Sequence, residues 1–165
     1  MFTVENATFM SYNPFCRRSG KNLAPVGRQK ERFFMRNKFY LKNSPLWEID
    51  YSWEGFSWIS NDDYTQSVIS FRRKNRAGDE IICVCNFVPV SRSDYRIGVP
   101  IAGNYKKMFS SADEKYGGSG GVADSYKSEA TAMHGYENSV SLDIPALSVT
   151  YYKVPKKRKS NKKTV

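Results

Sequence analysis

A chain of 165 residues, 40% hydrophobic and 15% aromatic, is long enough for one domain with its own core and too apolar to be disordered throughout. Its formal charge of +10 suggests a polyanionic partner until it is divided: residues 1–43 carry +7, residues 44–152 carry −4 and residues 153–165 carry +7. The central stretch is therefore mildly acidic, which argues against a nucleic-acid-binding domain, where the basic charge sits on the folded face itself.

In chain order, Met1 to Met10 is mixed and polar, with no charged start leading into an apolar core. That predicts no secretory leader and a cytoplasmic location. No run approaches the roughly 18 apolar residues of a membrane helix, so no membrane span is expected. Residues 1–34 mix Asn13-Pro14, Arg17-Arg18-Ser19-Gly20 and Ala24-Pro25-Val26-Gly27 without a sustained period and are expected to be irregular or disordered. Phe33, Phe34, Phe39, Tyr40 and Leu41 fit a short helix. Ser44-Pro45 should stop it, because a residue before proline avoids the α region.

From Trp47 the texture changes to short alternating apolar runs separated by Gly, Asn and Asp. Phe56 to Ile59 and Ser67 to Arg72 read as strands, with a hairpin connection at Asn75-Arg76-Ala77-Gly78-Asp79. Ile81 to Val88 is nearly all apolar and reads as a central strand covered on both faces. Tyr95–Val99, Tyr105–Ser110, Ser139–Ile144 and Leu147–Val154 follow. Seven or eight strands at even spacing without a long helix between them predict an all-β fold of antiparallel sheets. Alternation does not choose between sandwich and barrel; we take the β-sandwich, with Greek-key connections, a short N-terminal helix and disordered termini.

Several polar groups invite a chemical reading. Asp62-Asp63 is a paired carboxylate, but neighbours on a strand point to opposite faces, and acids after Asn61 suit a turn or cap. The same holds for Asp79-Glu80 and Asp113-Glu114. His134, the sole histidine, has no nucleophile beside it and reads as a loop or packing residue. Gly117-Gly118-Ser119-Gly120-Gly121 lacks the Lys-Ser/Thr that a phosphate-cradling loop requires. Cys83 and Cys85 lie on one strand face, read as small buried hydrophobes; with Cys16 they make an odd count, not a disulfide framework. No residue is nominated for catalysis, for a metal or for a cofactor. The best binding candidates are aromatic: Tyr51, Trp53 and Tyr64 could stack on the C–H faces of sugar rings, whereas Trp47 and Trp58 suit packing. The Lys156-Lys157-Arg158-Lys159 tail reads as a solvated end.

Eight blocks carry a resemblance. They are Phe39-Tyr40-Leu41 through Pro45-Leu46-Trp47-Glu48; Glu54-Gly55-Phe56-Ser57-Trp58-Ile59; Asn61-Asp62-Asp63; and Ser67 to Arg73. Then come Val84-Cys85-Asn86-Phe87-Val88-Pro89-Val90; Tyr95-Arg96-Ile97-Gly98-Val99-Pro100; Asp113 with Tyr116-Gly117-Gly118-Ser119-Gly120; and Leu142 to Leu147. In this order and spacing they resemble the C-terminal all-β domain of the bacterial glycogen (1,4-α-glucan) branching enzymes, over about Arg36 to Tyr152. The resemblance implies an enzyme that cleaves an α-1,4-glucan and rejoins the piece through an α-1,6 bond. It also implies a (β/α)₈ barrel carrying an aspartate nucleophile and a glutamate acid/base, about 5–5.5 Å apart in retaining chemistry. Eight β/α units do not fit before Ser44. The expectation is thus a non-catalytic β-domain, residues 44–154, that packs on a barrel absent from this chain. Residues 35–43 would be the remnant of the last barrel helix, and residues 155–165 a basic disordered tail. Glycogen is the expected ligand and the barrel the expected partner. With the barrel gone, an exposed apolar patch predicts self-association. A stand-alone glucan-binding module and a small nucleic-acid binder acting through its tails are the competing readings.

Overall fold

The structure, a computed structural model, describes residues 37–156. The expectations for residues 1–34, for the start of the helix, for Cys16 and for the tail beyond Lys156 lie outside them. Helix α1 spans residues 37–42. Asn43 closes it by donating from Nδ2 to the Phe39 carbonyl at 2.7 Å, and Pro45 then sits in a single turn of 3₁₀ helix, Ser44–Leu46.

Eight strands follow: β1 (Phe56–Asp63), β2 (Val68–Lys74), β3 (Glu80–Asn86), β4 (Arg92–Val99), β5 (Asn104–Ser110), β6 (Ser125–Lys127), β7 (Asn138–Ile144) and β8 (Ser148–Lys153). They form a six-stranded sheet in the order β1-β2-β3-β8-β5-β6 and a two-stranded sheet β4-β7. Every pairing is antiparallel. The all-β sandwich expected from alternation is present, with very unequal layers. β1, β2 and β3 are joined as hairpins, and β4 returns beside β1, where the Tyr95 hydroxyl donates to Asp63 at 2.6 Å.

The predicted hairpin at 75–79 is locked by Asn75. Its Oδ1 accepts the Asp79 N–H at 2.7 Å, and its Nδ2 donates to Ser44 Oγ at 2.8 Å, tying the hairpin to the entry turn. β6, which alternation did not signal, is a three-residue edge pairing only with β5.

The core lies between the sheets. Ile59, Val68, Ile82, Val84, Tyr105, Tyr152 and Val154 from the large-sheet side meet Ile97, Val99, Val140, Leu142 and Ile144 from the small one. Each such aliphatic side chain contributes about 1.5–3 kcal/mol through burial. Several polar groups inside are paired. Ser110 and Thr150 hydrogen-bond across β5 and β8 at 3.0 Å. Asn86 Nδ2 donates to the Val90 and Pro145 carbonyls at 2.8 and 2.9 Å, pinning the end of β3 to the β7–β8 turn.

The run beginning at Ile81 is the central strand expected, buried on both faces from Ile81 to Val84. Its outward side chains Cys83 and Cys85 share a face, with Cys83 opposite Phe71 on β2 and Tyr151 on β8. The two sulfurs are 3.7 Å apart and not bonded. The contact with Cys85 and then burial push the Cys83 thiol well above the ordinary cysteine range, so it stays protonated and inert. Phe39 of α1 caps this outer face, stacking on Phe109 at 5.1 Å and Tyr151 at 5.4 Å.

Candidate functional site

The aromatic candidates do not form one platform. Trp53 and Tyr51 sit together before β1, 84% and 78% exposed. The turn that presents them is rigid: Ser52 Oγ accepts the Glu54 N–H at 3.2 Å, and a Cβ on Gly55 would stand 2.1 Å from the Ile49 carbonyl oxygen. Only glycine lets the chain pass so close there. Arg76, on the β2–β3 hairpin, donates to the Tyr51 hydroxyl at 2.7 Å. The result is an exposed indole two residues along the chain from a phenol held by a guanidinium, groups that suit an apolar sugar face with neighbouring hydroxyls. Tyr64, 86% exposed, lies at the opposite end of β1. Eight strand residues at about 3.3 Å each put it about 25 Å away.

Of the residues expected to pack, Trp58 does so in part. It meets Phe56 edge-on at 4.9 Å and Phe71 at 5.9 Å, while keeping 47% of its surface exposed. Trp47 donates from its indole N–H to the Leu41 carbonyl at 3.3 Å, bracing α1. Beside α1 a cleft of about 230 Å³ is lined by Phe39, Tyr40, Leu46, Phe109, Val149 and Tyr151. Tyr40, Leu41 and Trp47 stand exposed next to it. Among the described residues, this side presents mostly apolar groups at the surface.

The polar candidates take structural roles. Asp63 caps the β1–β2 turn: Thr65 Oγ1 donates to it at 3.0 Å and the Gln66 N–H at 3.2 Å. Burial pushes its carboxyl up, but the Tyr95, Thr65 and Gln66 hydrogen bonds and the Arg92 charge outweigh that and hold it below the ordinary range. Asp62 accepts from Ser60 at 3.2 Å. Asp113 pairs with Lys107 at 3.0 Å, and Lys107 also donates to the Val122 carbonyl at 3.0 Å. The glycine-rich loop is thereby tied down, with the Gly120 N–H donating to the Ala112 carbonyl at 2.7 Å. Lys156 of the basic segment reaches Asp79 at 2.8 Å. His134 accepts the Gly98 N–H through Nδ1 at 3.2 Å, a packing role. No helix among the described residues is long and apolar enough to cross a membrane.

Sequence comparison decides the family. Residues 58–155 match the alpha amylase C-terminal all-beta domain. The chain belongs to that family. The match starts within β1 and runs past β8, so it takes in both sheets. Among curated relatives, the 1,4-alpha-glucan branching enzyme GlgB of Francisella philomiragia is 41% identical over 132 residues, 78% of this chain and 21% of that protein. The GlgB of Aquifex aeolicus is 44% identical over 119 residues, 71% of this chain and 19% of that protein. For the GlgB of Prochlorococcus marinus the figures are 41% over 127 residues, 76% and 17%. The chain thus spans about a fifth of the length of the curated relatives it matches. The family domain it shares with them is homologous to the C-terminal β-domain of these enzymes.

Proposed function

We propose that this chain serves as the C-terminal β-domain of a 1,4-α-glucan branching enzyme in glycogen biosynthesis. It carries no catalytic site of its own and packs on the catalytic barrel through the exposed apolar groups around α1, Tyr40, Leu41 and Trp47. The observation that carries this reading is the α1 side itself. The described part of α1, residues 37–42, lies with Phe39 against the outer face of the large sheet and leaves Leu41 68% exposed. A helix entering a β-domain at that place is what the last barrel helix would supply. The cytoplasm is the compartment that fits such an enzyme. Self-association is the form the same exposed surface takes when the barrel is missing. Branching of amylose, followed by loss of iodine colour, is expected to be nil for this chain alone, and light scattering at high concentration should show oligomers. Robust turnover together with a clean monomer would overturn the reading.

A second reading, a glucan-binding module, is favoured by the exposure of Trp53 beside the Arg76-held Tyr51. Retardation in a glycogen-containing native gel is expected, with Trp53→Ala abolishing most of it. Equal mobility of mutant and parent would remove Trp53 from any glucan contact. Nucleic acid is a poorer candidate, because the described domain lacks net basic charge between residues 44 and 152.

A further inference from the structure

We infer that Cys83 and Cys85 form a dithiol modification site, which a hydroperoxide oxidises to an intrachain disulfide and a dithiol reductant restores. The two side chains leave β3 on one face, because residues two apart on a strand point the same way. Their sulfurs stand 3.7 Å apart and are not bonded. Two strand residues at about 3.3 Å each put the Cα atoms about 6.6 Å apart, inside the range of about 4.4–6.8 Å that a disulfide spans. A separation so close to the upper limit gives a strained bond, the kind that reductants open readily.

The sheet holds the pair in place. β3 has a neighbour on each side, with Cys83 opposite Phe71 of β2 and Tyr151 of β8, and Cys85 opposite Ile69 and Val149. The two thiols differ in access. Cys83 is 1% exposed, whereas Cys85 is only partly buried. The cleft beside α1 is lined by Val149 and Tyr151, the β8 residues across from Cys85 and Cys83. Its volume of about 230 Å³ has room for several molecules the size of water, at about 30 Å³ each, and so admits hydrogen peroxide to this face.

The two thiols also differ in chemistry. Cys83 donates its S–H to the Cys85 sulfur. That bond holds the Cys85 thiol below the ordinary cysteine range, against the effect of its own burial. The same bond and then burial hold Cys83 above that range. The thiolate is the nucleophile, so Cys85 attacks first. Its sulfur takes the outer oxygen of the peroxide: an S–O bond forms, the O–O bond breaks, and the hydroxide leaves as water with the Cys85 proton. Cys85 is then a neutral sulfenic acid. The hydrogen bond that kept the Cys83 proton in place has lost its thiolate acceptor. The Cys83 sulfur now attacks the Cys85 sulfur, the S–O bond breaks, and the hydroxide leaves as water with the Cys83 proton. The two thiols give up two electrons and two protons, and one peroxide becomes two waters. A protonated, buried Cys83 thus never meets the oxidant; it resolves the oxidised Cys85.

This couple needs only two sulfurs. A metal ion needs more ligands, and among the described residues no group of three His, Cys, Asp or Glu converges to hold one.

The test is hydrogen peroxide added to the native 165-residue chain, followed by blocking of free thiols, trypsin and mass measurement. Cleavage after Arg76 and Arg92 leaves Cys83 and Cys85 together on the 77–92 peptide, apart from Cys16. That peptide is expected to lose the mass of two hydrogens and to take up no blocking group, and dithiothreitol should restore both thiols. In Cys83→Ser, oxidation should stop at a Cys85 sulfenic acid that dimedone traps. In Cys85→Ser, Cys83 should stay unreacted. The mass of the parent peptide decides even where a variant fails to fold. Two free thiols on that peptide after Cys16 has been oxidised would overturn the inference. So would a disulfide that forms only once urea has unfolded the chain, a sulfinic acid at Cys85 in its place, or a bond from Cys85 to Cys16.

Discussion

Tyr152→Ala is expected to lower stability by about 3–5 kcal/mol, the range for removing a large buried aromatic group. Tyr152 is 2% exposed and lies on β8 opposite Ile82 of β3. Its ring meets Tyr126 edge-on at 5.9 Å, a contact worth about 0.5–1.5 kcal/mol beyond area burial. Because β8 is a central strand, its neighbours are held on both sides and cannot close over the void. A domain of this size has about 5–15 kcal/mol in total, so the variant should lose a large share of it. The urea midpoint should fall at unchanged slope. Val90→Ala, at an exposed position, should stay within about 0.5 kcal/mol of the parent. A loss below about 1.5 kcal/mol for Tyr152→Ala would mean that the two sheets are not packed through this ring.

High pH should unfold the domain cooperatively. Burial pushes the Tyr105 phenol up to about 12, against the Ile101 N–H that donates to its oxygen at 3.4 Å. Burial pushes Tyr152 higher still. In the unfolded chain both phenols ionise near the ordinary value of about 10; in the folded chain both stay neutral. Their stabilisation is therefore complete below about pH 10 and is lost as pH rises, through about 12 for Tyr105 and beyond that for Tyr152. Each contributes a slope of about 1.4 kcal/mol per pH unit in that window, so the pair removes about 3 kcal/mol per unit. A step in phenolate absorbance should coincide with loss of the β-sheet circular dichroism signal. Smooth ionisation of every tyrosine with the signal intact would show that Tyr105 and Tyr152 are reachable by water in the native state.

Much of the fold was legible from periodicity. The apolar run from Ile81 had to be a strand covered on both faces, and it is, with Phe39, Tyr151 and Phe71 covering the side away from the core. Its end was overrun by two residues, since Asn86 turns the chain by binding the Val90 and Pro145 carbonyls, a bond made with a residue 59 positions away. β6 left no signal because an edge strand of Ser125, Tyr126 and Lys127 has one apolar side chain. The aromatic cluster was legible as composition but not as geometry: Trp53 and Tyr64 are neighbours in sequence count and are separated by the whole of β1. The polar cavity of about 640 Å³ at the Tyr64 end of β1 was illegible for the opposite reason. Asp62, Arg92 and His134 are far apart along the chain and meet only through the return of β4 beside β1. Asp62-Asp63 was read as a turn or cap and His134 as a loop or packing residue, and nothing local showed that they line one cavity.

The placement of β8 between β3 and β5 has a consequence for how the protein is made. Ile81 waits for Lys153 and Lys106 waits for the same residue, so the large sheet stays in two halves until its final strand leaves the ribosome. Until then β3 and β5 each present an open edge, the state most prone to pairing with another nascent chain. A stop codon just before Ser148 would therefore delete few residues yet make that vulnerable intermediate permanent, and clearance by proteases is the fate to expect for such a product.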